Sequence, residues 1–462
     1  MISVGYGHLP HPTAFNEIWQ KGDNNTMKKF TRIFSALLVL IMCLGVFAGC
    51  SGSGDNSTTD NQGSGDRPKI TLTVWGAEVD QAMLKEMCAA YAAANPQNEY
   101  KFLFGVQGES DSADKVLNDV TAGPDVYSFA SDQINKLYAG GALARVGGSI
   151  EQNIKEINSA GSVDAATITV NGEDQLFAYP STGDNCCFVY YDKRVFTDES
   201  ALTSLDSMLS VAEAAGKKVH FKLNDDGWYL SSFFFADPDL GYEVTYNDKM
   251  VEESVEINYD SADGLEVMKA LRNYVSRDGL VVQTDDSKII AAFTPDASGK
   301  CEAAAAISGT WNAATLKELL GENLGVCKLP TVEIGGEDVQ LSGYMGYKLI
   351  GVNGYSQNKG EAHKLAQWLT NEQNQLKRFQ TRGFGPTNKN VAQLDEVKND
   401  AIIAAVLEQA QYNRAQKGVP GNYWTPMGSL ITPLVTAKAD GTVITDQQLQ
   451  EYLDALCQQI RK

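Results

Sequence analysis

Apolar residues alternate with threonine along Ile70-Thr71-Leu72-Thr73-Val74-Trp75, which sets Ile70, Leu72 and Val74 on one face of a strand. The period then changes. From Gln81 to Ala94, Leu84, Met87, Cys88 and Tyr91 recur at i, i+3, i+4 and i+7, the stripe of an amphipathic helix. Asp80 is its expected N-cap, and Asn95-Pro96 ends it. A second strand follows over Tyr100 to Val106, then a helix around Asp114 to Thr121. Gly123-Pro124-Asp125 leads into a third strand, Val126 to Phe129, and a further helix runs from Gln133 to Tyr138. Strands alternating with helices predict βαβ units and a mainly parallel sheet.

Farther along, Leu265, Met268, Leu271 and Val275 form one stripe of a helix over Asp260 to Ser276. Cys301 to Ser308 is a run of small residues that suits a buried strand, and Gly346 to Val352 is another strand. Lys359 to Phe379 predicts one or two helices, Gly383-Phe384-Gly385-Pro386 breaks the pattern, and a last helix spans Thr445 to Ile460. The chain shows no internal repeat.

The N-terminal stretch has a different grammar. Lys28, Lys29 and Arg32 precede an apolar run from Ile33 to Phe47, and Ala48-Gly49-Cys50 follows. This order describes an export signal over residues 27–49, and the run is shorter than the roughly 20 apolar residues of a spanning helix. Cys50 after the small pair resembles a bacterial lipobox and is the expected lipidation site, with Phe47 where leucine is usual. Residues 50–68 are too polar to fold and suit a flexible tether. Residues 1–26 are either an upstream mis-start or a disordered extension.

Charge narrows the partners. The chain has a net charge of -20. Residues 1–49 hold four cations against two carboxylates, so the part from Cys50 onward carries -22. So acidic a surface argues against nucleic acid and against adsorption to anionic lipid. About 395 residues beyond the tether suggest two or more domains. Six cysteines, Cys88, Cys186, Cys187, Cys301, Cys327 and Cys457, are scattered without a C-x-x-C, which is no disulfide framework. The neighbours Cys186 and Cys187 sit in a strand-like run to Tyr191 and are either buried thiols or a vicinal disulfide.

Catalytic motifs are missing. No H-E-x-x-H, zinc cluster, G-x-S-x-G or P-loop occurs, and His220 and His363 stand alone as surface or packing residues. Asp225-Asp226 and Asp285-Asp286 lack calcium-loop spacing and read as solvated acidic turns. No metal or cofactor is expected. An exported α/β chain without catalytic motifs is first of all a binder.

Several segments, in order, resemble the extracellular solute-binding proteins of the maltose-binding, sugar-transporter type. They are Ile70 to Gly76, Gly123-Pro124-Asp125 with the strand to Ala130, and Phe177-Ala178-Tyr179-Pro180 followed by Val189 to Lys193. Gly309-Thr310-Trp311 and the Gly383 to Thr387 turn complete the set. The resemblance implies a two-lobe, periplasmic-binding-protein-like α/β fold of type II, with ligand in the cleft and closure about a hinge. Lobe 1 is expected over 69–182 and 346–378, lobe 2 over 183–345 and 379–462. Crossings are expected near Ser181 to Asp184, Ser342 to Met345 and Phe379 to Phe384. It also implies a monomer anchored by lipid on the outer face of the cytoplasmic membrane, with the permease subunits of an ABC importer as partners.

A sugar site needs aromatic platforms beside carboxylates and amides. Trp75, Trp228, Trp311 and Trp424 stand next to turn residues, where they suit a cleft rim, whereas Trp368 belongs to an amphipathic helix. By resemblance, Phe129, Asp132 and Asp184 match an aromatic and two carboxylates of the family, and Trp311 matches its G-x-W tryptophan. The expected ligand-binding set is Trp75, Glu78, Phe129, Asp132, Asp184, Asp225, Trp228, Trp311 and Trp424. Trp311 is the expected stacking platform, with little effect on the empty protein. Gln133 stands where the family has an arginine, which puts a maltose preference in doubt. Another solute, a polyamine or a peptide, is the alternative within binding, and an exported carbohydrate-active enzyme is the alternative outside it.

Overall fold

The computed structural model describes residues 67–462. The expected export signal, Cys50 and the tether up to residue 66 lie outside the described residues. Among the described residues no helix is long and apolar enough to cross a membrane.

The chain builds two α/β lobes, each around its own sheet. In the first, β1 (Lys69–Gly76), β2 (Glu99–Val106) and β3 (Val126–Ala130) pair in parallel in the order β2-β1-β3. Helix α1 (Gln81–Ala94) packs Leu84, Met87 and Tyr91 against Leu72 and Val74. Helices α2 (Ser112–Asn118) and α3 (Ile134–Ala139) flank β3. The chain then enters β4 (Ala178–Asn185) and, after Cys186 and Cys187, β5 (Phe188–Asp192) of the second lobe.

The second sheet runs β7-β6-β8-β5-β9, from β6 (Lys218–Phe221), β7 (Leu280–Val282), β8 (Ala303–Ser308) and β9 (Leu324–Cys327). Every residue of β8 is buried, as the small-residue run requires. On one face Val189, Val219, Phe221 and Ile307 pack with Phe233 of α4 (Gly227–Phe234) and Leu271 of α5 (Ala262–Ser276). On the other, Phe188, Tyr190 and Ala306 pack with α6 (Asp286–Phe293) and α7 (Ala313–Leu320).

Strand β10 (Tyr344–Val352) returns to the first sheet, where it is antiparallel to β3 and to β4. It also changes core: Tyr344 packs in the second lobe, Leu349 in the first. A short β11 (Arg414–Ala415) pairs with its start. Helices α8 (Lys359–Leu369) and α9 (Glu372–Arg382) cover the first lobe, and α10 (Trp424–Ser429) and α11 (Asp446–Ile460) the second.

Each sheet is mainly parallel, as expected, with β10 and β11 reversed in one and β5 in the other. Three expectations need correction. Asp80 holds the N-cap position of α1, but its carboxylate pairs with Arg382 Nε at 3.0 Å and caps nothing. The helix expected to reach Thr121 stops at Asn118, because Asp119 turns back to accept from the Thr121 and Ala122 amides. The third crossing starts later than Phe379, since α9 continues to Arg382. There 383–387 runs beside β4, with Gly183 N donating to Gly385 O at 2.9 Å and Thr182 bridged to Pro386.

Cys186 and Cys187 fall in the break between β4 and β5, both buried and both free thiols. They face opposite cores, so their side chains point apart.

Candidate ligand-binding cleft

A cavity of about 1070 Å³ lies between the lobes and is lined by both. It is large enough for several sugar-sized rings.

Its second-lobe wall is aromatic, and local sequence fixes it. Asp226 caps α4 by accepting from the amides of Trp228 and Tyr229 at 3.0 and 3.3 Å, which sets the direction in which Trp228 leaves the backbone. Gly227 then lets α4 touch α10. A Cβ on Gly227 would lie 2.6 Å from Met427 Cβ and 2.8 Å from the Trp424 carbonyl oxygen. This close approach brings Trp228 and Trp424 to one wall. Trp311, just past the C-terminal end of β8, meets Trp228 edge-to-face with ring centres 5.8 Å apart. Trp424 rests edge-on against Tyr344 and Tyr423. All three tryptophans are partly buried and line the cleft.

Behind the wall Asp286 acts as a hub. Its Oδ1 accepts from Tyr229 OH at 3.1 Å, Ser308 Oγ at 3.2 Å and Trp311 Nε1 at 3.2 Å. Its Oδ2 pairs with Lys222 Nζ at 3.1 Å, and Lys222 also reaches Asp226 at 2.9 Å. Burial works against the Lys222 charge, but the two carboxylates outweigh it and hold its pKa above the ordinary lysine value.

The first lobe contributes Asp132, from the turn between β3 and α3. Burial pushes its carboxyl up to about 6, against the opposing hydrogen bonds from Gln416 and Trp424. Gln416 Nε2 donates to Asp132 Oδ1 at 3.0 Å, while its Oε1 accepts from Trp228 Nε1 at 3.1 Å and Asn185 Nδ2 at 2.8 Å. Asp225, in a left-handed conformation with φ 61, is exposed on the rim. Among the described residues no group of three His, Cys, Asp or Glu side chains is placed to hold a metal ion.

Five of the expected residues therefore meet in one cleft: Asp132, Asp225, Trp228, Trp311 and Trp424. Four do not. Phe129 is fully buried in the first-lobe core, because its side chain points to the opposite face of β3 from the cleft-lining Ala130. Asp184 is likewise fully buried, and the next residue of β4, Asn185, reaches the cleft instead. A slip of one residue exchanges the faces of a strand. Trp75 lies over Gly105 of the neighbouring strand, where a Cβ would come within 2.3 Å of the indole. Glu78 is exposed on the turn after β1, outside the cleft lining.

Sequence reasoning passed over Asn185, Lys222, Tyr229, Asp286 and Gln416. Asp286 carried a signal: in the acidic pair, Asp285 caps α6 through the Ser287 amide at 2.7 Å and frees its neighbour to face inward. Gln416 carried none.

Comparison with known proteins agrees with this architecture. Residues 86–405 match the family described as bacterial extracellular solute-binding protein. The chain belongs to that family. The galactooligosaccharide-binding protein of Bacillus subtilis (strain 168) is 23% identical over 418 residues, 88% of this chain and 94% of that protein. A structure solved with acarbose is 33% identical, with a TM-score of 0.73 over 85% of this chain and 98% of that one. The maltodextrin binding protein MalE1 from L. casei BL23, solved without ligand, shares the fold at 22% identity and a TM-score of 0.67. It covers 85% of this chain and 99% of its own.

Proposed function

We propose that this protein is a lipid-anchored, extracellular binding protein that captures a sugar or oligosaccharide and delivers it to an ABC importer by closing its cleft. The observation that carries the reading is the wall of Trp228, Trp311 and Trp424, set across one cleft from the Asp132 carboxylate. Flat C–H faces of sugar rings stack on indoles, and hydroxyls pair with carboxylates and amides. The relatives support the same class, since they bind galactooligosaccharide or maltodextrin or were solved with acarbose. The bodies that move are 69–182 with 346–378 and 183–345 with 379–462, the division read from the sequence. A ligand touching both lobes stabilises the closed state by its differential affinity, and the importer reads closure as occupancy.

Eight carboxylates and three lysines line the cleft, an observation that also favours the second reading, a polyamine. One screen separates them. Thermal shifts are measured with maltose, maltotriose, maltotetraose, galactooligosaccharides, acarbose and spermidine. Ligand at 100 times its Kd adds about 2.7 kcal/mol to stability. A shift with a neutral oligosaccharide that is recovered intact supports the proposal. A shift with spermidine alone, or hydrolysis of the oligosaccharide, overturns it.

A further inference from the structure

Gln416 is 5% exposed and every bond its amide makes is to a side chain that lines the cleft. Its position is built. The preceding β11 is tied to the second lobe, with Arg414 N donating to Gly343 O at 2.9 Å and the Arg414 guanidinium to Leu240 O at 2.6 Å. From that anchor Gln416 reaches the first lobe twice. Its carbonyl oxygen accepts from Ser131 Oγ at 3.0 Å, and its Nε2 donates to Asp132. Its Oε1 stays in the second lobe and the crossing strand, on Trp228 and Asn185. Next in the chain, Lys417 Nζ lies 3.0 Å from Asp164 Oδ1 of the first lobe.

The chemistry of the position admits few alternatives. An amide offers a donor toward a carboxylate and two lone pairs toward two N–H groups. A carboxylate would face Asp132 with like charge, and an alkyl group would leave the two donors unpaired. The space exists because residue 346 is glycine. A Cβ there would lie 2.3 Å from Gln416 Oε1 and 2.7 Å from Asn185 Nδ2.

We propose that Gln416 is a positioning residue that latches the lobes together, its amide holding Asp132 of the first lobe to Trp228 of the second. The latch favours the closed arrangement before any ligand arrives, and it fixes the indole on which a ligand would stack. Its effect on affinity rests on the carbohydrate-binding reading, whereas its effect on lobe separation does not.

The test reads lobe separation in the empty protein. Nitroxides at Lys101→Cys on the first lobe and Glu243→Cys on the second report it by double electron–electron resonance, with Cys301→Ser and Cys327→Ser removing the more accessible thiols. Gln416→Ala should lower the closed-to-open ratio by roughly fivefold or more, through loss of hydrogen bonds worth about 1 kcal/mol each. Gln416→Glu should open the lobes at about pH 8 and close them again at about pH 5, where two facing carboxylates share one proton. The charged and titratable groups around Asp132 are Lys136 on α3 and Tyr242 from the second lobe. The ammonium of Lys417 is engaged with Asp164. Burial already pushes Asp132 up to about 6, so proton sharing falls in an accessible range.

A merely structural role would give no pH reversal in Gln416→Glu. The double variant Asp132→Asn/Gln416→Glu exchanges amide and carboxylate, and it should stay closed at both pH values. Unchanged distances in Gln416→Ala and Gln416→Glu, or opening in Gln416→Glu that acid does not reverse, would overturn the proposal. If Gln416→Glu fails to fold, the double variant and Gln416→Ala decide. A protein that binds no carbohydrate but shows these distance changes retains its latch and loses only the functional reading.

Discussion

Removing the Trp311 indole separates a binding role from a packing role, because the structure shows what each would lose. On the ligand side, Trp311→Ala deletes one stacking face. Stacking of a flat ring on an aromatic side chain is worth about 1–3 kcal/mol, by analogy with bases, or roughly 5- to 150-fold in Kd. On the protein side it deletes the N–H bond to Asp286 and the edge-to-face contact with Trp228. Each of these contributes about 1 kcal/mol. Asp286 keeps Tyr229, Ser308 and Lys222, so no charge is left unpaired. The empty protein should therefore lose about 2 kcal/mol, more than sequence alone suggested. Trp311→Phe keeps an aromatic face without the N–H, so it should lose about half that stability and much less affinity. Calorimetric titration with the strongest oligosaccharide of the screen, beside urea unfolding of the empty variants, gives both numbers. Lost stability with an unaltered Kd in Trp311→Ala would refute the stacking role and move the platform to Trp228 or Trp424.

Burial raises the Asp132 pKa from its ordinary value to about 6, so its stabilising contribution is full below about pH 4 and is lost as pH rises through 6. Asp132→Asn should then gain on the parent protein by up to about 2 kcal/mol between pH 4 and pH 7, the shift being discounted for partial exposure. Urea unfolding at the two pH values checks it, and a constant difference would refute it. Gly227→Ala forces a methyl against Met427 and the Trp424 carbonyl, and should cost about 1–3 kcal/mol of stability and weaken oligosaccharide binding. Cys50→Ala should release the protein from membranes, and intact mass should show a lipidated Cys50 at the mature N-terminus. An unmodified N-terminus at Met1 or Met27 would sink that reading. With eight carboxylates and three lysines around it, the cleft should bind a uronate-containing oligosaccharide at least about tenfold more weakly than its neutral counterpart. Equal affinities in calorimetry would refute this.

How much of this was legible depended on range. Local periodicity gave β1, α1 and the buried Ala303–Ser308 strand nearly to the residue, because each follows from neighbours in sequence. The direction of β5 and β10 was not legible, since antiparallel insertion into a sheet is settled by contacts over more than a hundred residues. Tryptophans beside turn residues pointed to Trp228, Trp311 and Trp424, and the structure sets all three along one cleft wall. The same signal misled at Trp75, because residue 105 happens to be a glycine that receives the ring. Phe129 and Asp184 failed through single-residue register, which alternation alone cannot fix without knowing which face of a strand meets the cleft.

The cleft divides its tasks between the lobes in a way that only the folded chain reveals. The second lobe holds its aromatic wall rigidly: Asp226 caps α4, Gly227 seats it on α10, and Asp286 ties Trp311 to Tyr229 and Lys222. A wall ordered before binding spares the ligand the entropy of arranging it. The first lobe brings Asp132, which meets that wall through Gln416 and through the Trp424 indole. On the proposed carbohydrate reading, the platform residues belong to one body and the polar grip to the contact between two bodies. Substitutions in the wall should change how strongly a ring is held, whereas substitutions along Asp132–Gln416–Asn185 should change how often the lobes meet. That separation explains why the aromatic half of the site could be guessed from turns in the sequence. Of the polar half, Asp132 came from the family resemblance, whereas Asn185 and Gln416 carried no local signal.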